Sequence, residues 1–230
     1  MSDSIAADPL SSRPLSGSAL PRWSVPRCPA AWQGEPDATE WEVVASLPPF
    51  LLADGSRPAR QQTIARLCYD DHRLYVRFDC YDEDIWGHYT ERDDPIYDEE
   101  VVELFLWPGE ANPIHYYEFE ISPNGVLFDG LVYNPTSLRQ DMVVDLAWDC
   151  EGIIWQAERD DATDHWWAML SIPWSSVGPV DPVPKIWRAN LYRIERPRQG
   201  SPEFSCWSPV LVQPVDFHKP AQFGILVLND

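Results

Sequence analysis

Positively charged side chains are scarce in this chain. Lys and Arg number 17 against 37 Asp and Glu in 230 residues, which gives a formal net charge of −20. Proteins that bind nucleic acid or an anionic lipid surface do so mainly through basic side chains. The composition therefore argues against nucleic-acid and membrane partners, and it favours neutral or cationic ligands.

Cysteine is sparse as well, and its spacing matches no metal or redox motif. The five cysteines include no CxxC pair, and an odd number makes a poor disulfide framework, so we expect free thiols. No apolar run is long enough to cross a membrane, and the N-terminus lacks the cationic start and apolar stretch of a secretory signal. As written, the chain is expected to be cytoplasmic, and export would need a start upstream of Met1.

Long stretches without Pro or Gly are rare, which disfavours long helices. In RLYVRFDCYD (73–82), Leu74, Val76 and Phe78 alternate with other side chains, as in a strand with one buried face. About ten such segments follow at short spacing, and FGILVL (223–228) is the last. They predict an all-β fold, an antiparallel β-sandwich of jelly-roll or immunoglobulin-like type with at most short helical turns.

The N-terminal segment differs from the rest of the chain. Residues 1–35 are rich in Ser, Pro, Ala and Arg without periodicity, which predicts a flexible or loosely packed leader. Residues 36–230 are predicted to form the sandwich domain. Twelve Trp and nine Tyr are more aromatic side chains than one core needs. Some of these rings are therefore expected to face solvent or a ligand.

One strand, PIYDEEVVELFLWP (95–108), carries a carboxylate in an apolar setting. Positions 102, 104 and 106 predict its buried face, and the opposite face places Glu103 between Val101 and Phe105. Such a carboxylate needs a partner. An ion pair with Arg188 or Arg193 on a neighbouring strand is one interpretation, and ligand hydroxyl groups that donate to Glu103 are the other.

Seven segments in this order resemble carbohydrate-binding module family 9 and its stand-alone bacterial relatives. They extend over residues 36–230 and read YDDHRLYVRFDCYDEDI, YDEEVVELFL, YYEFEISPNG, LSIPW, WRANLYRIER, CWSP and FHKPAQFG. The resemblance implies an antiparallel β-sandwich that binds sugars, such as the ends of xylan or cellulose chains, without catalysis. It also implies a link to carbohydrate catabolism and, in some members, structural calcium.

The resemblance implies particular ligand contacts. In the family, a ring six positions before the strand Glu and a ring just before the C-terminal P-x-x-F-G motif sandwich a sugar, while the Glu bonds its hydroxyl groups. Tyr97 and Glu103 match the first ring and the carboxylate. Phe217 stands where sugar-binding members have Trp, and Asn190 matches an Asn of the late strand. Glu120 replaces a sugar-binding Arg, so that contact is absent here.

Three further residues are candidates for ligand contact. Arg193 has five donors in a fixed arrangement that suits either a sugar or a carboxylate. His218 is adjacent to Phe217 and could donate to a ligand. Trp86 lies in a long connection, residues 81–99, and could supply a third aromatic platform.

An acidic run offers oxygen ligands for calcium. Asp79, Asp82 and Asp84 have the short spacing that suits Ca²⁺, although no EF-hand loop is present. A solvated acidic rim is the alternative interpretation.

Other function classes stay open from the sequence. A b-type haem domain of related sandwich type would have to draw its axial ligands from few residues, among them Met142, Met169 and the two lysines. A glycoside hydrolase acting on O-glycosyl bonds would pair Glu103 with Glu118 or Glu120. A scaffold role without a ligand is the remaining alternative.

Overall fold

The computed structural model describes residues 19–29, 32, 40–178 and 181–229. Within these residues the chain forms thirteen strands and four short 3₁₀ turns, so the predicted all-β fold is confirmed. None of the described residues belongs to a helix long and apolar enough to cross a membrane. The strands are β1 (Arg22–Val25), β2 (Leu51–Leu52), β3 (Thr63–Tyr69), β4 (Arg73–Tyr81), β5 (Val101–Pro108), β6 (His115–Ile121), β7 (Leu127–Tyr133), β8 (Val143–Asp145), β9 (Ile154–Asp160), β10 (His165–Pro173), β11 (Ile186–Glu195), β12 (Glu203–Cys206) and β13 (Gly224–Leu228).

The strands form a large and a small sheet. The small sheet has the order β3-β4-β10-β9, and each neighbouring pair is antiparallel. The large sheet has the order β1-β13-β11-β5-β6-β7-β8, with β12 pairing to both β11 and β2. The 3₁₀ turns are Glu40–Val43, Ile96–Asp98, Arg139–Asp141 and Pro220–Gln222.

The main core lies between the two sheets. Val102, Leu104 and Leu106 of β5 are buried there, as the alternation predicts, and belong to one cluster with Val76 and Phe78 of β4. The same cluster includes Leu170 of β10 and Trp187 of β11. Alternate residues of a strand point to opposite faces, so the apolar pattern of β5 fixes which side faces the small sheet.

The outer face of the large sheet is also covered. A second apolar cluster there includes Val101 and Phe105 of β5, together with Tyr192, Phe217 and Phe223. The Tyr192 hydroxyl donates to the Phe217 backbone oxygen at 3.0 Å, which ties the segment before β13 to this face. Strand β5 is consequently buried on both sides.

Part of the predicted leader forms regular structure. Arg22–Val25 make up β1, which pairs in parallel with Ile225–Leu228 of β13. Farther along, the Cys28 backbone N–H donates to the Tyr69 oxygen at 2.8 Å, beside β3. Most of the rest of residues 1–35 lies outside the described residues. Ordered structure therefore begins upstream of residue 36.

Truncation of the β5 core face should destabilise the protein strongly. Leu104 is fully buried, so Leu104→Ala removes apolar contacts and leaves a cavity, for an expected loss of about 2–5 kcal/mol in the free energy of unfolding. Leu138 is 52% exposed, and the matched variant Leu138→Ala should change stability by about 0.5 kcal/mol or less. Urea unfolding measures both. Equal losses in the two variants would contradict the placement of the core.

Candidate functional site

A cavity of about 430 Å³ opens on the outer face of the large sheet. Three glutamates from β5 and β6 line it, namely Glu103, Glu118 and Glu120. Aromatic side chains form part of its wall, and the stretch around residues 139–146 and the segment around residues 215–218 supply the remainder. Four residues predicted separately from the sequence, Tyr97, Glu103, Phe217 and His218, all line this one cavity. Their part in sugar binding stays a prediction.

Strand register brings the three glutamates together. Glu103 of β5 lies directly opposite Glu120 of β6, and Glu118 lies two residues before Glu120 on the same face. One carboxylate oxygen from each lies within 4.8 Å of the other two. All three side chains are buried. The period-2 pattern of YYEFE is the sequence signal for this cluster.

Burial sets the protonation of these carboxyl groups. It raises the pKa of Glu118 to about 7. Burial, together with the negative charge of Glu118, holds the pKa values of Glu103 and Glu120 well above their usual range, and Arg139 opposes this only in part. The cluster therefore retains protons near neutral pH.

Aromatic rings form two walls of the cavity. Phe217 stacks on Tyr192 with ring centroids 4.3 Å apart, and Phe204 meets Phe217 edge-on at 6.0 Å. Tyr97 is 42% exposed and packs edge-on against Phe128 at 5.7 Å. Phe217 is thus held rigidly, while the Tyr97 ring is accessible. Pyranose C–H groups pack well on such rings.

His218 is held as a neutral side chain at the edge of the cluster. Its Nδ1 shares a hydrogen bond of 2.7 Å with the Tyr116 hydroxyl, and that hydroxyl accepts one from Asn134 at 3.2 Å. The pKa of His218 is lowered to about 3 by burial and by Arg139. Its Nε2 lies 3.7 Å from Glu118 Oε1.

Asp216 pairs with the basic groups at the rim. Arg139 Nε donates to Asp216 at 3.0 Å, and Lys219 also pairs with Asp216. The pKa of Asp216 is lowered, because these bonds and charges outweigh its burial. Arg139 was not predicted from the sequence. It lies in the long connection between β7 and β8, and its position depends on contacts with the distant segment around Asp216.

Three of the predicted ligand contacts, Asn190, Arg193 and Trp86, lie away from the cavity. The Asn190 side chain is fully buried, donates to the Ser208 oxygen at 2.7 Å and accepts from the Ser208 N–H at 2.9 Å. Arg193 is also fully buried and pairs with Asp82 at 2.9 Å. Both side chains already bond to the protein itself. Trp86 lies in a separate, shallower pocket with Arg196 and Arg198.

The ion pair considered for Glu103 does not form. Arg193 is occupied by Asp82, and Arg188 donates to the backbone oxygens of Pro220 and Ala221 at 2.9 and 3.2 Å. The neighbours of Glu103 are other carboxyl groups and aromatic rings. Ligand contact at Glu103 stays a prediction.

The three aspartates considered as calcium ligands form ion pairs with different arginines. Asp79 pairs with Arg66 and Arg77, each at 2.8 Å, and Asp82 pairs with Arg193. Asp84 pairs with Arg198. The structure therefore does not bring Asp79, Asp82 and Asp84 together as one ligand set, because each carboxylate points to a different guanidinium group.

Two other carboxylate groups have the spacing of cation ligands. One is the cavity cluster, and the second consists of Asp82, Glu100 and Glu195, whose oxygens also lie within 4.8 Å of one another. Burial raises the pKa of Glu100 to about 9 and that of Glu195 to about 7. Arg193 lies within this second cluster and supplies a counter-charge. In the cavity cluster, Arg139 lines the same space and opposes the raised glutamate pKa values only in part.

The raised carboxyl pKa values should make stability depend on pH. Between about pH 4.5 and pH 7, the folded protein keeps the Glu118 proton that the unfolded chain releases. The resulting stabilisation is complete below pH 4.5 and is lost as the pH rises through 7. The free energy of unfolding of the wild-type protein should therefore fall between about pH 5 and about pH 8. In Glu118→Gln this fall should be smaller by about 1–3 kcal/mol.

Urea unfolding of both proteins across this pH range measures the difference. Glu100 and Glu195 contribute with the same sign in both proteins, so the difference between the two curves reports on Glu118 and on its effect on Glu103 and Glu120. Parallel curves would contradict the assignment.

Comparison with known proteins identifies the family. The family model described as carbohydrate-binding family 9 matches residues 55–228. A protein of Arthroderma benhamiae named "Extracellular protein" is 31% identical over 149 residues, which are 62% of this chain and 67% of the relative.

Solved structures share the fold. A Bacteroides uniformis protein to which carbohydrate binding has been ascribed superposes with a TM-score of 0.73 at 16% identity, over 92% of this chain and all of the other. A family 9 module from Caldicellulosiruptor kristjanssonii, solved with cellotriose, gives a TM-score of 0.61 at 16% identity over 91% of this chain and 94% of the module. At this level of identity the likeness shows the fold alone. The family match covers most of the chain, and the protein therefore belongs to carbohydrate-binding family 9.

Proposed function

We propose that this protein binds an oligosaccharide in the cavity on the outer face of the large sheet, without catalysis. The observation that carries the proposal is the convergence of Tyr97, Phe217 and buried carboxyl groups around one space of about 430 Å³. Aromatic rings pack against the C–H groups of a sugar, and the carboxyl groups bond its hydroxyls. Fragments of plant polysaccharides such as xylan or cellulose are the ligand class.

The related modules support this ligand class. The Caldicellulosiruptor kristjanssonii module was solved with cellotriose and with glucose. Both ligands are built from neutral pyranose rings, which the aromatic walls of this cavity suit. A volume of about 430 Å³ matches a small ligand or the end of a chain.

The arrangement of the glutamates favours binding over hydrolysis. A glycoside hydrolase needs two carboxyl groups that flank the scissile bond, with an acid on one side and a nucleophile or base on the other. Glu103, Glu118 and Glu120 all project from one face of two adjacent strands. They can contact one side of a sugar ring together, but this geometry does not place two of them across a bond.

Haem binding receives less support than sugar binding. Met142 and His218 both line the cavity and are the two types of axial ligand that such a domain could use. However, Nδ1 of His218 bonds to Tyr116, and its Nε2 faces Glu118. Met169 belongs to a different cluster, with Trp41 and Cys68.

Titration calorimetry with cellotriose and xylotriose tests sugar binding. Tyr97→Ala and Phe217→Ala should each weaken binding by about tenfold, which corresponds to about 1.4 kcal/mol, because each removes a stacking surface. Tyr133 is exposed to the same extent as Tyr97, 42%, and lies outside the cavity lining, so Tyr133→Ala is the matched control. No binding of a broad oligosaccharide panel at millimolar concentration would overturn the proposal.

A further inference from the structure

We propose that the preferred saccharide carries a primary ammonium group, as an amino sugar does, and that Glu103, Glu118 and Glu120 hold this group. The inference rests on the proposed oligosaccharide binding, and it makes an amine-bearing saccharide, in place of a neutral xylan or cellulose fragment, the preferred ligand. It also gives the three buried carboxyl groups of the cavity a common partner.

The spacing of the three carboxylates suits an ammonium group. An ammonium nitrogen has three N–H donors and no acceptor. Charge-assisted N–H···O bonds are about 2.8 Å long, so acceptors placed tetrahedrally around one nitrogen lie about 4.6 Å apart. The three glutamates offer one oxygen each, all within 4.8 Å of one another. This upper limit admits the separation that three acceptors around one nitrogen require.

One carboxylate oxygen at the cavity lacks a partner. Glu120 is 1% exposed and lines the cavity, and its Oε2 makes no hydrogen bond to any described residue. A buried acceptor that gives up water without gaining a donor is unfavourable. A donor brought by the ligand removes that cost. This unpartnered oxygen points to a ligand rich in donors.

The charged side chains around the three glutamates allow a ligand cation to bind there. Arg139 lines the cavity but donates to Asp216, which Lys219 also contacts. His218 is neutral, and Arg196 donates to the Tyr97 backbone oxygen at 3.5 Å. The charge of the three glutamates is at present balanced by bound protons. A ligand cation can replace those protons, so binding should release protons to the buffer.

The walls favour an amino sugar over a bare metal ion. Calcium requires six to eight oxygen ligands in a close shell. Most of the remaining lining is aromatic or aliphatic and offers no side-chain oxygen, including Phe128, Phe217, Val144 and Leu146. A cavity of about 430 Å³ also far exceeds the space of one ion. A ring that stacks on the walls and carries an amine uses both parts of the site.

Three trisaccharides of the same length separate the contributions. They are cellotriose, chitotriose, which has an amine on each ring, and triacetylchitotriose, in which acetylation removes the charge. Titration calorimetry at about pH 6 should show chitotriose binding at least about tenfold more tightly than the other two. Repetition in buffers of different ionisation enthalpy should reveal proton release with chitotriose alone.

Two variants connect the preference to the cluster. Glu120→Gln keeps the side-chain shape and removes one carboxylate, so the advantage of chitotriose over cellotriose should fall at least about fivefold. Glu110 is exposed and lies outside the cavity lining, so Glu110→Gln should keep the wild-type preference. Circular dichroism of each variant confirms folding before titration.

The outcomes distinguish this proposal from the proposed function. Equal affinity for chitotriose and cellotriose would overturn the amine contact and leave oligosaccharide binding intact. Failure of all three sugars to bind would overturn both. Competition by calcium ions alone, without any sugar preference, would identify the cluster as a metal site and overturn the amine contact.

A different observation concerns the N-terminal segment. Cys28 and Cys68 place their Sγ atoms 2.7 Å apart, only about 0.7 Å beyond the length of a disulfide bond. The backbones there run side by side, because Arg27 pairs in parallel with Tyr69. We infer that these two thiols form a disulfide on oxidation. The bond would fasten residues near β1 to the small sheet.

Oxidised glutathione can supply the oxidising equivalents. The Cys28 thiolate attacks the glutathione disulfide and releases one glutathione thiol, and Cys68 then displaces the second. The protein loses two hydrogen atoms, and one glutathione disulfide becomes two thiols. Cys28 is the accessible member of the pair, since it is only partly buried while Cys68 is fully buried.

Thiol counting tests the disulfide. After equilibration with oxidised glutathione and denaturation, three of the five thiols should react, and peptide mapping should connect Cys28 to Cys68. Cys28→Ser should abolish the link, whereas Cys150→Ser, at a buried cysteine elsewhere in the main core, should retain it. Five reactive thiols, or glutathione that stays attached, would overturn the inference.

Discussion

Desolvation of carboxyl groups on the outer face of β5 and β6 is the constraint around which the site is organised. Because both faces of β5 are covered, a charged side chain on this strand has no easy access to water. Glu103, Glu118 and Glu120 therefore keep protons or find other partners. The aromatic walls and the polar rim cover the face of the sheet that carries these groups, and they are therefore part of the same burial.

The structure separates two kinds of buried charge. At one end of the space between the sheets, Arg193 provides a fixed counter-charge for Asp82 and Glu100. In the cavity, the glutamates face an open volume, and the nearest basic side chain bonds to Asp216 instead. Paired carboxylates of the first kind lock one packing arrangement. The unpaired carboxyl groups in the cavity are suited to bind a ligand.

Much of the fold could be predicted from the sequence, because alternation within a strand is a local signal. The two faces of β5 were assigned correctly from residues 101–106 alone. The pairing of β1 with β13 could not be foreseen, since it joins residues about 200 positions apart in the chain. For the site, the resemblance led to Tyr97, Glu103 and Phe217. Arg139 carried no local signal, and the internal bonding of Asn190 depends on the course of the segment around Ser208.

Strand β1 also determines how the large sheet ends. It covers one side of β13, whose residues are almost all apolar, and is itself only four residues long between Pro21 and Pro26. Proline lacks a backbone donor, and short edge strands are poor templates for further pairing. The family match begins at residue 55 and does not include this strand. Strand β1 thus occupies the edge of β13 that would otherwise offer its backbone groups for pairing with another strand.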